Sequence, residues 1–144
     1  MSTVLVVDDD SDLRELLVMK LTASGYDVVS AADGQGGLDA VASTVPDAVI
    51  LDWMMPNKNG MDVLQALRDH PRTVRTAIIM MTARARGWEQ EQALALGADD
   101  YIVKPYSPRL LPGRVELAMA ARLRLSQQPA ERRSKLRRPV TVYR

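Results

Sequence analysis

The 144-residue sequence contains no cysteine, no phenylalanine and a single histidine. Without cysteine the chain can form neither a disulfide nor a thiolate metal site, which fits a reducing cytoplasm. His70 alone cannot supply a multi-histidine metal centre or a conventional catalytic triad, and we assign it no role. No apolar run approaches the roughly 20 residues of a membrane-spanning helix, and the N-terminus lacks the features of a secretory signal. We therefore expect a cytoplasmic protein with no membrane contact.

The net charge of +1 hides an uneven distribution of charge along the chain. Residues 1–121 carry 17 acidic and 11 basic side chains, a net charge of −6, whereas residues 122–144 carry one acidic and eight basic side chains, a net charge of +7. Such a contrast is typical of a folded region followed by a chemically distinct segment. We predict a domain over residues 1–121 and a basic C-terminal tail or linker over residues 122–144.

Short apolar runs alternate with amphipathic segments throughout the first region. The segments between the runs place apolar residues three and four positions apart, as Leu13, Leu16 and Leu17 do, which predicts helices. A parallel sheet covered by helices on both faces explains strands that are largely apolar. We therefore predict an α/β fold of the (βα)5 type, doubly wound around a five-stranded parallel sheet. The predicted strands are Val4–Val7, Asp27–Ala31, Ala48–Leu51, Ala77–Met81 and Tyr101–Val103.

Chemically distinctive side chains follow four of these strands. The carboxyl ends of parallel strands meet at one edge of a sheet, so these side chains can converge. Three carboxylates suit a hard cation such as Mg²⁺, and a hydroxyl and an ammonium beside them can hold a phosphoryl group. A carboxylate in that setting can attack phosphorus, which predicts Mg²⁺-dependent acyl-phosphate chemistry on one aspartate. The side chains are Asp8 and Asp9 after the first strand, Asp52 after the third, Thr82 after the fourth and Lys104 after the fifth.

Each of these residues has an ordinary structural explanation when it is taken alone. Acidic residues after a strand often cap the next helix, a threonine often ends a turn, and a lysine is usually a solvated charge. The joint occurrence at four strand ends favours a functional site. We expect two neighbouring acids, Asp10 and Asp12, to cap and charge the first helix instead of binding the metal.

Four segments carry a family resemblance: VLVVDDD (4–10), ILDWMMPNKNG (50–60), IIMMTA (78–83) and GADDYIVKPYSP (97–108). In this order and spacing they resemble the receiver domain of bacterial two-component response regulators, the CheY-like family. The last segment is especially similar to the receivers of winged-helix regulators of the OmpR/PhoB type. The resemblance covers residues 3 to about 121 and implies a CheY-like, flavodoxin-like sheet with strand order 2-1-3-4-5. It implies a phosphoacceptor signalling domain that catalyses only its own phosphorylation and dephosphorylation, and no other enzyme activity.

The resemblance also implies how the metal and the acceptor are arranged. Asp52 would accept a phosphoryl group from a sensor histidine kinase or a phosphotransfer protein. Asp9 would bind Mg²⁺ directly, Asp8 would bind it through water, and Asp52 and the backbone carbonyl of Met54 would complete the protein ligands. Mn²⁺ can take the place of Mg²⁺ in such a site.

The switch residues follow from the same resemblance. Thr82 and Lys104 would bind phosphoryl oxygens, and the bond between Lys104 and Pro105 would be cis. Movement of Thr82 towards the phosphoryl group would let Tyr101 rotate inward. That shift would remodel the face formed by the fourth helix, the fifth strand and the fifth helix.

Two further positions are expected to tune the lifetime of the phosphoryl group. Met54 lies two residues after the acceptor, and Arg84 lies two residues after the threonine. In the family these positions influence the attack of water on the acyl phosphate. A bulky and a long side chain would shield it, which predicts a fairly long-lived phosphoryl group.

The face of the fourth helix, fifth strand and fifth helix is also a possible homodimer contact. Asp99, Asp100 and Arg114 fit the charge pattern that the winged-helix branch uses there. Leu110 and Leu117 stand where that branch has charged residues, so the usual set of ion pairs cannot form intact. Leu111 and these two leucines could give a more apolar contact instead.

The sequence is compatible with several outputs for this domain. The 23-residue tail is too short for a winged-helix effector, and its Arg-rich segment 130–138 has no aromatic residue for base stacking. It can be the start of a linker to an effector, a basic arm for a kinase, an acidic partner or nucleic acid, or a disordered extension. The fifth helix could also continue through Arg122–Leu125. We expect no direct nucleic-acid binding by the receiver itself.

Three other functions compete with that of a receiver that controls an attached output. A stand-alone receiver would act by protein–protein interaction or through a nucleic-acid contact of the basic tail. A phosphotransferase or phosphatase with an aspartate nucleophile would have a second acid two residues after it, where this sequence has Met54. A pseudo-receiver used only for binding would lack Asp52, Thr82 or Lys104, and all three are present.

Overall fold

The computed structural model describes residues 1–83, 87–104 and 106–127 of the chain. In these residues strands and helices alternate strictly, and a short 3₁₀ helix (Pro108–Leu110) precedes the last helix. The elements are β1 (Thr3–Val7), α1 (Ser11–Ala23), β2 (Asp27–Ala31), α2 (Gly34–Ser43), β3 (Ala48–Asp52), α3 (Gly60–Asp69), β4 (Ala77–Thr82), α4 (Gly87–Ala95), β5 (Asp100–Val103) and α5 (Leu111–Ser126).

The five strands form one parallel sheet in the order β2-β1-β3-β4-β5. This confirms the predicted doubly wound α/β fold. The inner strands β3 and β4 are buried at every position, whereas the edge strand β2 is partly exposed. Strands covered on both faces have no solvent side, which explains why their sequences are apolar without alternation.

Successive side chains of each strand point to opposite faces of the sheet and so divide the interior into two apolar layers. On one face, residues such as Leu5 and Val49 pack with α2, α3 and α4. On the other, residues such as Val4 and Ile50 pack with α1 and α5. Each layer fixes its helices against the sheet and thereby fixes the loops that join strand ends to helix starts.

Side-chain caps mark the starts of α1, α2 and α3 at the carboxyl edge of the sheet. Asp10 accepts hydrogen bonds from the backbone N–H groups of Asp12 and Leu13, at 3.1 and 3.2 Å. The prediction that Asp10 caps the first helix is therefore confirmed. Asp33 and Asn59 cap α2 and α3 in the same way.

Helix α5 runs past residue 121 and ends at Ser126. The remainder of the predicted basic tail, residues 128–144, lies outside the described residues. The division of the chain into residues 1–121 and 122–144 stays a prediction. In the part of the chain that the structure describes, every helix is too short or too polar to cross a membrane.

Candidate functional site

Three carboxylates meet at the carboxyl edge of the sheet. Asp8 follows β1, Asp9 is its neighbour, and Asp52 is the last residue of β3. One oxygen atom from each of these side chains lies within 4.8 Å of the other two. Asp8 and Asp52 are buried, with 2% and 5% of their surface exposed, while Asp9 is exposed. The cluster is therefore anchored in the interior and open to solvent on one side.

The parallel register brings these acids together. Val7 of β1 lies beside Leu51 of β3, so the residues that follow them reach the same point of the edge. The turn after β1 is held by two hydrogen bonds between backbone and side-chain groups. The N–H of Asp10 donates to the Asp8 carboxylate at 2.9 Å, and the Arg14 guanidinium donates to the Asp8 carbonyl at 2.7 Å. The position of Asp8 is thus set before any ligand binds.

Lys104 connects two of the acids. Its ammonium lies 2.9 Å from a carboxylate oxygen of Asp8 and 3.3 Å from one of Asp52. Burial alone would lower the pKa of Lys104, but its hydrogen bond to Asp8 and the charge of Asp52 raise that pKa overall. Lys104 therefore stays positively charged. One ammonium among three carboxylates leaves a formal excess of two negative charges.

The pKa of Asp52 reflects both its burial and the negative charge beside it. Burial and, after it, the charge of Asp8 raise the pKa of Asp52 to about 7, against the lowering effect of Lys104. An added divalent cation would relieve this repulsion. Oxygen atoms from three carboxylates are the donor set that Mg²⁺ prefers, so the residues present fit that ion.

Thr82 and Tyr101 lie beside this cluster. Thr82 ends β4 and is fully buried, and its carbonyl accepts a hydrogen bond from the N–H of Lys104 at 2.7 Å. Tyr101 is buried and meets Trp53 edge-on, with ring centroids 6.3 Å apart and an interplanar angle of 85°. Tyr101 is thus in an inward orientation in this structure. Sequence analysis missed Trp53, whose position directly after Asp52 was the available signal.

The loop of residues 53–59, between β3 and α3, borders the same site. Its base is closed by a hydrogen bond from the N–H of Gly60 to the carbonyl of Trp53, at 2.8 Å. A Cβ on residue 60 would collide with the carbonyl oxygen of Asp52, so only glycine allows this approach. The Met54 side chain is half exposed on this loop. Met54 thus lies on the loop that follows Asp52, with its side chain accessible to solvent.

The charged residues predicted for a dimer contact all have partners within the chain. Arg114 holds Asp100 through two hydrogen bonds of 2.6 Å, which raise the pKa of Arg114. Asp99 is buried between Arg68 and Arg122, each 2.9 Å away. Sequence analysis missed both arginines, because neither lies in a recognisable motif.

Of the leucines predicted for an apolar contact, Leu110 and Leu117 have 53% and 68% of their surface exposed. Leu111 is fully buried in the layer that contains α1 and α5, so it cannot contribute to a surface contact in this arrangement. Two other predicted residues, Arg84 and Pro105, lie outside the described residues.

Known proteins with this sequence pattern are response regulators. Residues 4–116 match the family model of the response regulator receiver domain. The chain is 37% identical over 117 residues to the phosphate regulon transcriptional regulatory protein PhoB of Pseudomonas aeruginosa, covering 81% of this chain and 51% of that protein. It is 42% identical over 128 residues to the transcriptional regulatory protein CpxR of Escherichia coli, covering 89% and 53%. The chain thus spans about half the length of these relatives.

Solved structures agree with the sequence comparison. The receiver domain of the Francisella response regulator 1452 superposes with a TM-score of 0.77 at 30% identity, over 84% of this chain and 98% of that one. The chemotaxis protein CheY4 of Vibrio cholerae superposes with a TM-score of 0.78 at 30% identity, over 82% and 98%. The resemblance found in the four sequence segments is confirmed.

Proposed function

Because the chain belongs to the response regulator receiver family, we propose that Asp52 accepts a phosphoryl group from a histidine kinase or a phosphotransfer protein. The observation that carries the proposal is the cluster itself. Three carboxylates lie within 4.8 Å of one another, and Lys104 bridges two of them. Family membership gives a signalling domain, and the cluster supports the chemistry that we assign to it.

Each residue of the cluster has its own role in the proposed phosphoryl transfer. A carboxylate oxygen of Asp52 forms the new bond to phosphorus while the P–N bond of the phosphohistidine breaks, and the electron pair leaves with the imidazole. Lys104 turns from the carboxylates to a phosphoryl oxygen, and the Thr82 hydroxyl donates to another. Asp8, Asp9, Asp52 and the Met54 carbonyl would hold Mg²⁺, or Mn²⁺ in its place. When bound there, the ion would supply positive charge that offsets the carboxylates and the incoming phosphoryl oxygens.

We propose that the phosphoryl group is read out at the face of α4, β5 and α5. A displaced Thr82 and the inward Tyr101 would favour one of two arrangements of this face. A homodimer through it would use Asp99, Asp100 and Arg114 only by exchanging their internal partners. Leu110 and Leu117 are exposed without such an exchange, which supports an apolar contribution to the contact.

The names of the relatives support transcriptional regulation as the output. PhoB and CpxR are transcriptional regulatory proteins about twice as long as the matched region. A stand-alone receiver, which would act by protein contacts or through its basic tail, has no comparable support. The cytoplasmic location stays a prediction from the sequence.

The test is phosphorylation of the full chain by acetyl phosphate, read by intact mass. The wild-type protein should gain one phosphoryl group with Mg²⁺ and none with EDTA. Asp52→Asn should gain none, whereas Asp69→Asn, an exposed acid at the end of α3, should behave as wild type. A folded wild type without an adduct, or an adduct that persists in Asp52→Asn, would rule the proposal out. Decay of the adduct within seconds would count against shielding by Met54 and Arg84.

A further inference from the structure

We infer that Gly34, the first residue of α2, is a positioning residue for the loop of residues 53–59 and thereby for the metal site. Gly34 is buried, and its backbone contacts the backbone of Lys58 in that loop. A Cβ at position 34 would collide with the carbonyl oxygen of Lys58. It would also lie 2.7 Å from the Lys58 Cβ and 3.1 Å from its carbonyl carbon. Two of these atoms belong to the backbone and cannot turn aside as the end of a long side chain can.

The other glycines of α2 show that this contact is particular to position 34. Glycine in a helix costs about 0.5–1 kcal/mol relative to alanine, so each one needs a reason. A Cβ on Gly37 would meet the side chain of Val7 at 3.0 Å, and a Cβ on Gly36 would meet the Asp33 side chain at 3.1 Å. Neither of them reaches the loop.

The loop is short and has few ways to absorb a displacement at Lys58. Its base is fixed by the hydrogen bond between Gly60 and Trp53, and Asn59 caps α3 through the N–H of Asp62 at 3.0 Å. Asn57 is already in the left-handed region, with φ of 70°, and Pro56 has a fixed φ. A shift of Lys58 away from α2 is therefore passed along the loop towards Met54.

Met54 is the loop residue whose carbonyl we assign to the metal, so the inference rests on the proposed function. The expected effect of position 34 on the loop is steric. The start of α2 sets the distance between the loop and the carboxylates at the end of β1 and β3. A displaced Met54 carbonyl would weaken Mg²⁺ binding. Mutation of groups that orient a metal ligand typically lowers metal affinity by about tenfold or more.

The experiment is Gly34→Ala in the full chain, with Gly36→Ala and Gly113→Ala as matched controls. Gly36→Ala makes the same change in the same helix, and Gly113→Ala adds its methyl group to open space. Two quantities are measured: the Mg²⁺ dissociation constant by calorimetry, and amide hydrogen exchange of residues 53–60 in metal-free protein. We expect Mg²⁺ affinity about tenfold weaker and faster loop exchange in Gly34→Ala. Both controls should stay within about twofold of wild type, well inside that effect.

A second variant keeps the test decisive if Gly34→Ala folds poorly. Lys58→Gly removes the Cβ that the new methyl group would meet and gives the backbone at position 58 more conformational freedom. Gly34→Ala should therefore weaken Mg²⁺ binding less in the Lys58→Gly background than in the wild-type background. A folded Gly34→Ala with wild-type affinity and wild-type loop exchange overturns the inference and leaves the proposed function standing. A wild type that binds no Mg²⁺ and accepts no phosphoryl group overturns the proposed function, whatever the variants do.

Discussion

The two edges of the sheet each hold a cluster of charged side chains, and the clusters differ in how far hydrogen bonds offset their excess charge. At the amino edge, Asp99 accepts hydrogen bonds from Arg68, from Arg122 and from the N–H of Ile78, at 2.9 to 3.0 Å. Both guanidiniums also donate to the carbonyl of Gly97, at 2.8 and 2.9 Å. Two guanidiniums facing one carboxylate leave a formal excess of one positive charge, and backbone carbonyls that accept hydrogen bonds from these guanidiniums offset it.

At the carboxyl edge the balance is different. Three carboxylates share the ammonium of Lys104, and the pKa of Asp52 is raised to about 7 by burial and by the charge of Asp8. The comparison distinguishes an ion cluster with a structural role from one suited to bind a ligand. The Asp99 cluster, whose charges are offset by hydrogen bonds, joins α3, α5 and the start of β5. The carboxylate cluster has an excess of negative charge at an accessible edge and is suited to bind a cation.

The largest contrast is expected when the central acid of each cluster is replaced by its amide. Asp99→Asn should lower the free energy of unfolding by about 3 kcal/mol, because it leaves two buried guanidiniums without a charged partner. Asp52→Asn should raise it by about 1 kcal/mol in metal-free protein, because it removes repulsion from Asp8. Urea unfolding with EDTA at pH 7.5 measures both. A change in the free energy of unfolding in the same direction for both variants would contradict the contrast between the two clusters.

A smaller effect is expected from Lys104→Met. In metal-free protein this variant should be about 2 kcal/mol less stable, because Asp8 and Asp52 lose their shared ammonium. Saturating Mg²⁺ should restore most of the loss, since the ion supplies the missing positive charge. Lys20→Met, on an exposed part of α1, is the control. A loss that Mg²⁺ does not reduce would argue against a cation site among these acids.

The smallest effect is a dependence of stability on pH. The folded protein binds the Asp52 proton more tightly than the unfolded chain does, because the pKa of Asp52 is raised from 3.8 to about 7. Stability from this group is therefore present at low pH and falls as pH rises between about 4 and 7. We expect metal-free wild type to lose on the order of 1 kcal/mol relative to Asp52→Asn between pH 6 and pH 8. A constant difference between the two proteins across that range would contradict the assignment.

The fold could be predicted from the sequence because apolar strands and amphipathic helices alternate along it. The candidate site could be predicted because its residues follow strand ends, where a parallel sheet brings distant positions together. Asp8 and Lys104 are 96 residues apart and still form a hydrogen bond of 2.9 Å. Topology alone places them, whereas the length of the bond and the pKa of Asp52 depend on packing.

The amino-edge cluster could not be predicted in the same way. Arg68 and Asp99 are 31 residues apart, and Arg122 lies on another helix, with no motif to connect them. The contact between Gly34 and Lys58 leaves no chemical signal either, because a missing Cβ matters only once two backbones meet. Such features depend on how helices sit on the sheet, which periodicity does not determine.

The central claim is that the carboxyl-edge cluster is incomplete without a divalent cation, and a Mg²⁺ titration followed by thermal unfolding tests it most directly. We predict a saturable rise in the midpoint temperature of wild type that is lost in Asp52→Asn. Asp69→Asn should keep the full rise. A wild type that shows no saturable stabilisation, or an Asp52→Asn variant that is stabilised equally, would contradict the account.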